Sequence, residues 1–232
     1  DFDENPFTTD PRKYTDKLVN MDKVLEETYY RIESGNMLVI KGDQGTGRTS
    51  ILMNAAKKYG GFKKVAYVDC RKLGEDLNIT KVLRQKYGIL GVLFKKTPNK
   101  MILLLDNVQN LSKKNNERIK FYYDQNYLKS VIFTCTFFSR VKFSQSLKDR
   151  IGRRIIEIPE LNGEDAIELI RNRIRDSKIL SDELIVEIFR KSDKNPKKLL
   201  ENCNKLAYEV TKNNRYRIKS IDVKRVLGDK DE

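Results

Sequence analysis

The 232-residue chain contains no histidine. That removes the commonest general base and zinc ligand, so Ser-His-Asp hydrolysis and histidine-based metal chemistry are excluded. Cysteine is scarce as well. Cys70, Cys135 and Cys203 are isolated, odd in number and without metal-ligand spacing, which points to a reducing cytosol and a cytoplasmic protein. No apolar run approaches the roughly 18 residues of a membrane span, so no membrane association is expected. The start, Asp1-Phe2-Asp3-Glu4, is acidic and shows no signal-peptide pattern. What is present, 39% hydrophobic and 34% charged residues, suits a solvated globule with a real core rather than a disordered chain.

Formal charge is +14, and residues 81 to 154 hold seventeen Lys/Arg against four Asp/Glu, a net of +13. The remainder of the chain sums almost to zero. A concentrated basic region is the electrostatic footprint expected of a nucleic-acid site. A lysine-rich surface filled without any partner is the plainer alternative.

Residues 1 to 20 read as an irregular lead-in, with Pro6 and Pro11 among turn formers. Val24, Leu25, Tyr29 and Ile32 then mark one face of a helix over Asp22 to Glu33, which Ser34-Gly35-Asn36 ends. Five strands are predicted: Met37 to Lys41, Lys64 to Asp69, Met101 to Leu105, Val131 to Cys135 and Arg154 to Ile158. Helical spacing lies between them, at Ile51 to Tyr59, in part of 79 to 94 (broken near Gly88 and Gly91), near Asn115 to Tyr127, and at Gln145 to Ile151. Alternating strands and helices imply an α/β fold with a parallel five-stranded sheet flanked by helices. Pro159 closes that pattern, and the residues after it read as a small all-helical bundle. One helix begins at Asn162-Gly163-Glu164-Asp165, another is capped by Ser181, and a third has Pro196 at its first position. A short fourth spans Ser220 to Leu227. The expected division is 1–160 and 161–232.

Gly42-Asp43-Gln44-Gly45-Thr46-Gly47-Arg48-Thr49-Ser50 sits between the first strand and a helix, the context of a phosphate-binding P-loop. Gly42, Gly45 and Gly47 permit a tight curve whose N–H groups point at phosphate. Thr46, Arg48 and Ser50 complete the cradle, and Thr49 places its hydroxyl on Mg²⁺. Arg48 stands where the pattern demands lysine; it keeps the charge but is larger and forked. Lys41, just before the loop, offers a second cation. Ile102-Leu103-Leu104-Leu105-Asp106 has the form of a Walker B strand, with Asp106 reaching Mg²⁺ through water. The next position, a water-activating glutamate in hydrolytic relatives, is Asn107, which cannot take a proton.

On these motifs the chain resembles the AAA+ ATPases, in the group that includes replication initiators of the origin-recognition type, from about Leu18 to Leu227. The resemblance implies an AAA+ core followed by a helical lid, with ATP or ADP and Mg²⁺ as ligands. It places Val19, in the run Leu18 to Leu25, beside the adenine. Asp106-Asn107-Val108-Gln109-Asn110-Leu111 is similar to the family's Asp-Glu-Ala-Gln-Asn-Leu variant. The polar sensor of the fourth strand maps to Thr134 or Thr136, and the second sensor, an arginine in the family, to Lys197. Arg150, with Arg153 and Arg154 behind it, is the candidate arginine finger for a neighbouring subunit, a role only an oligomer uses.

Arg48, Asn107, Lys197 and the loosely matched finger all depart in one direction, toward nucleotide binding with weak or absent hydrolysis. The basic region supplies the candidates for DNA contact: Lys81, Arg84, Lys86, Lys95, Lys96, Lys100, Lys113, Lys114, Arg118, Lys120, Arg140 and Lys142. Tyr87, Phe94, Phe121, Tyr122, Phe137 and Phe138 interleave them as stacking surfaces. Three readings stay open: a degenerate DNA-associated AAA+ protein using nucleotide as ligand or switch, a slow ATPase acting as a ring-forming loader or remodeller with an AAA+ partner, and a non-enzymatic interaction scaffold.

Overall fold

The computed structural model describes residues 4–60, 64–72, 79–85 and 99–228. They form two compact units: one from residues 21–44 and 48–158, the other from residues 1–20, 45–47 and 159–232 in their described parts. The division drawn from the sequence put the lead-in with the sheet; by contacts it belongs with the helices.

The first unit is an α/β layer structure. Its strands are β1 Met37–Lys41, β2 Val65–Asp69, β3 Met101–Asp106, β4 Leu128–Cys135 and β5 Ile155–Glu157. They form one sheet in the order β2-β3-β4-β1-β5, with every pair parallel. Helices α1 Asp22–Glu33, α2 Arg48–Tyr59, α3 Ile79–Gln85, α4 Lys113–Asp124 and α5 Gln145–Ile151 flank it. All six residues of β3 are buried, as its unbroken apolar run requires of a strand covered on both faces. Alternation divides the sheet's side chains. Met37, Val39, Leu103, Leu105, Phe133 and Val131 join Ile119 of α4 and Leu147 and Ile151 of α5 in one core. Each such side chain, fully buried, contributes about 1.5–3 kcal/mol. Ser112 and Ser144 cap α4 and α5 by accepting from Asn115 N and Leu147 N.

This strand order fixes where a ligand site belongs. The chain leaves β1 toward β2 on one side of the sheet and leaves β4 toward β5 on the other. Adjacent strands with diverging exits open a crevice at their carboxyl ends. The glycine loop follows β1, Asp106 ends β3, Thr134 is the penultimate residue of β4 and Thr136 comes just after it, so the predicted motifs follow the carboxyl ends of these strands.

The second unit packs α6 Gly163–Ile174, α7 Asp182–Lys191, α8 Pro196–Lys212 and α9 Ser220–Leu227. Its core includes Leu169, Ile170, Ile185, Ile188, Leu199, Leu206 and Val223. Asn162 and Asp165 form a reciprocal capping box on α6. The lead-in is irregular, yet it is anchored: Phe7 and Val19 lie in this core, and Arg173 donates to the carbonyls of Pro6 and Thr8 at 3.2 and 2.7 Å. Gly45 also belongs to this unit, with φ +90°. A Cβ there would lie 2.5 Å from Asn195 Oδ1 and 2.9 Å from Lys197 Cβ, so only glycine fits.

Candidate phosphate site at the carboxyl edge of the sheet

Loop and sheet are joined at the first residue of the turn, where Gly42 N donates to Cys135 O at 3.2 Å. The turn ends with Gly47 at φ +105°, and α2 starts at Arg48. Its first N–H groups have no partner within the helix, which makes a helix start an anion site in general. Arg48 is only 7% exposed. It donates from one nitrogen to Thr136 Oγ1 at 2.8 Å and from another to Asn107 Oδ1 at 3.0 Å. Both partners are neutral. Burial lowers its pKa from the ordinary arginine value, and the nearby Asp106 charge works the other way. An arginine stays protonated in such a place, so the buried charge favours an anion alongside it.

Next to it, Thr49 Oγ1 donates to Asp106 Oδ2 at 2.6 Å. Asp106 is fully buried and also accepts from Thr134 Oγ1 and, at 3.1 Å, from the Tyr67 hydroxyl. Thr134 Oγ1 in turn accepts from Asn107 N at 3.0 Å. The two sensor candidates therefore divide their work: Thr134 holds the acid and Thr136 faces Arg48. Asn107 has φ 57° and ψ 55°, a left-handed conformation that asparagine tolerates and longer side chains disfavour. Its amide oxygen is taken by Arg48, while Nδ2 points to Asp69 Oδ1 at 3.4 Å. Arg71 grips Asp69 from its own side at 3.0 and 2.8 Å. That guanidinium hydrogen bond holds the Asp69 carboxyl below its ordinary range, against the opposing effect of burial.

Tyr67, Asp69 and Arg71 were not singled out from the sequence. The signal lay in strand order: Asp69 and Asp106 are register partners across β2 and β3, so the last residues of β2 join the same edge. Burial pushes the Tyr67 phenol up from its ordinary pKa, and Asp106 adds to that. It remains a donor at all ordinary pH.

Other predicted residues fall elsewhere. Lys41 pairs with Glu157 of β5 at 2.9 Å and does not serve as a free second cation. Arg150, the finger candidate, is held by Asp124 through contacts of 3.0 and 2.9 Å. Val19 is 5% exposed inside the helical core. Lys197, by contrast, lies against the glycine loop, its Cβ 2.9 Å from where a Cβ on Gly45 would stand, with its ammonium 3.7 Å from Glu201. Thr46 lies inside the glycine turn, between Gly45 and Gly47, and Ser50 is in the first turn of α2. Of the basic candidates, Lys81, Lys100, Lys113, Lys114, Arg140 and Lys142 are exposed, and Arg84, Arg118 and Lys120 are half-buried. Arg140 lies over the Phe137 ring at 4.4 Å. Lys86, Lys95, Lys96, Tyr87, Phe94 and the breaks near Gly88 and Gly91 lie outside the described residues. Phe121 and Phe137 are exposed, whereas Tyr122 and Phe138 pack on the core.

The site suits a phosphate ligand with magnesium. Thr49 and Asp106 present hard oxygens side by side, and Mg²⁺ keeps most of its coordination as water, so two protein oxygens suffice. A further buried acceptor, Gln109 Oε1, has no hydrogen-bond partner among the described residues, although Gln109 Nε2 donates to Thr136 Oγ1 at 3.2 Å. No group of three His, Cys, Asp or Glu able to hold a metal occurs among the described residues. No described helix is long and apolar enough to cross a membrane.

A parallel five-stranded sheet with this strand order, a glycine loop after β1 and an acid ending β3 is the AAA+ fold. Solved structures agree. Cdc6p from Pyrobaculum aerophilum superposes with a TM-score of 0.81 at 15% identity, covering 97% of this chain and 70% of that one. The RuvB Holliday junction branch migration motor of Thermotoga maritima gives 0.68 at 14% identity, with 91% and 70% covered. Drosophila ORC bound to DNA gives 0.67 at 14% identity, with 96% and 63% covered. No family model matches the chain, and no curated protein matches it in sequence. At such identities the likeness is one of fold.

Proposed function

We propose that this protein binds ATP or ADP with Mg²⁺ at the carboxyl edge of its sheet and hydrolyses ATP weakly or not at all. The observation that carries the reading is Arg48: a buried guanidinium at a helix start, spent on two neutral partners. A phosphate group beside it would complete the charge balance. Thr49 and Asp106 would hold the metal, which neutralises phosphate charge when bound. Tyr67 and Thr134 fix the Asp106 carboxylate for that task.

Hydrolysis needs a group that orients water and accepts its proton. Asn107 accepts no proton, and both ends of its amide are engaged, by Arg48 and Asp69. Arg48 cannot reproduce the compact ammonium of a P-loop lysine. Losing both features slows phosphoryl transfer by orders of magnitude.

DNA association is the second part of the proposal. It rests on the +13 carried by residues 81 to 154 and on a fold shared with Cdc6p, RuvB and a DNA-bound ORC. A ring-forming role would need Arg150 to leave Asp124. Isothermal titration of the purified chain with ADP and ATP, with and without magnesium, tests the first part. Magnesium-enhanced binding lost in Asp106→Ala is expected; no heat with either nucleotide would leave the scaffold reading.

A further inference from the structure

The near-neutrality of the chain outside residues 81 to 154 is a cancellation. Residues 211 to 228 hold six Lys/Arg and one acid, Asp222, and that acid is 1% exposed. Arg215 neutralises it from within, through contacts of 3.0 and 2.6 Å. Lys212, Arg217, Lys219 and Lys224 are exposed and make no ion pair among the described residues. Within residues 211 to 228 these exposed cations have no exposed carboxylate beside them in sequence; Glu209 precedes the segment, and Asp229, Asp231 and Glu232 follow it outside the described residues.

An aromatic ring stands among these cations. Tyr216 is 86% exposed, on the turn between α8 and α9. That turn is pinned on both sides. Arg215 is tied to Asp222, and its N–H reaches Val210 O at 3.0 Å. Ile218 is 4% exposed, and its N–H reaches Ile179 O at 2.9 Å. Lys219 N is held by Asp222 at 2.9 Å. A rigid turn that presents a bare phenol ring among cations has already given up the backbone freedom that binding would otherwise cost. Nothing in the packing of the helical unit requires the ring there. A planar face flanked by cations matches an unpaired base with its phosphates: the ring stacks on the base and the cations take the backbone.

We propose that the α8–α9 turn is a binding surface for single-stranded nucleic acid, with Tyr216 as its stacking platform and Arg217, Lys219 and Lys212 as its phosphate contacts. This surface belongs to the helical unit, whereas residues 81 to 154 belong to the sheet unit, and its action needs no bound nucleotide.

The test is fluorescence anisotropy of a labelled 12-nucleotide oligo(dT) strand with the full chain, free of nucleotide, at 50 and 200 mM salt. Thermal melts check that each variant is folded. The wild type should bind at 50 mM and weaken about tenfold or more by 200 mM. Tyr216→Ala should raise Kd about tenfold, while Tyr216→Phe, which keeps the ring, should stay within about twofold. The double variant Arg217→Glu/Lys219→Glu should lose more and show a shallower salt dependence. Four results would overturn the proposal: no binding by the wild type at 50 mM salt, Tyr216→Ala equal to wild type, a 12-base-pair duplex bound as tightly as the strand, or displacement of the strand by an equal charge of polyglutamate. Loss confined to Lys113→Glu/Lys114→Glu, with Tyr216→Ala unaffected, would assign binding to the sheet unit instead.

Discussion

The two units bury polar groups in different ways. In the helical unit the buried polar side chains include Ser192 and Asp222, each at 1% exposure, and the architecture uses both. Ser192 Oγ donates to Ile188 O at 2.6 Å to finish α7, and Asp222 fastens the turn before α9. At the carboxyl edge of the sheet, Arg48, Asp69, Asp106, Asn107 and Thr134 are all buried, from 0 to 9% exposure, and they bond to one another and to Thr49, Tyr67, Arg71 and Thr136. Asp69 alone has a local task there, accepting from Arg71 N at 3.1 Å in the turn after β2; among the described residues the side chains of Arg48, Asp106 and Asn107 finish no helix and close no turn. Buried polar groups are costly unless satisfied, and one that serves no architectural end marks a site.

That contrast can be broken or sharpened by substitution. The largest effect belongs to the apolar side. Leu206, fully buried in the helical core, should cost about 2–5 kcal/mol of stability as Leu206→Ala, read by urea melts. Next is Arg48→Ala, which removes a charged donor from the proposed phosphate site. It should weaken ADP binding by roughly 2 kcal/mol, about thirtyfold by calorimetry, with a much smaller change in melting temperature. An equal loss of stability would make Arg48 structural. Asn107→Glu introduces the acid found at this position in the ATPases the motifs resemble, yet its side chain would face Arg48 and draw it from the proposed phosphate, and its left-handed backbone costs about 1–2 kcal/mol. The expected outcome is about tenfold weaker ADP binding and no gain in turnover; a gain would show that the acid alone was missing.

The smallest effect concerns acid. The folded pKa of Asp69 lies below its ordinary value because of Arg71, so its stabilising effect is complete above about pH 4. It is lost as pH falls through the lower folded value. Since the Arg71 side chain is 55% exposed, the contribution should be under about 1 kcal/mol. Asp69→Asn should flatten the loss of stability below pH 4 by that amount, as measured by melts from pH 5 to 2.

Much of this was legible in the sequence, for physical reasons that also explain the gaps. β3 declared itself because an unbroken apolar run ending in an acid has few other uses. The glycine loop was legible because its backbone needs no distant partner. β4 begins at Leu128 rather than Val131: Lys129 and Ser130 break the apolar run, and Ser130 is buried only because its hydroxyl reaches Asn36 O at 2.6 Å. The packing of residues 4–20 had no periodicity to betray it, since Phe7 and Val19 act as single anchors. Arg48 and Asn107 each read as a departure from a motif. That they touch, 59 positions apart, follows from strand order alone. Seen together they are one contact, a buried guanidinium donating to a neutral amide.

The central claim is a nucleotide held but seldom cleaved, and steady-state phosphate release from ATP with magnesium tests it most directly. Wild-type protein saturated with ATP should release phosphate at a rate orders of magnitude below the 1–100 per second usual for phosphoryl-transfer enzymes, and no faster than Asp106→Ala. Release on the order of 1 per second, dependent on magnesium and abolished by Asp106→Ala, would contradict it.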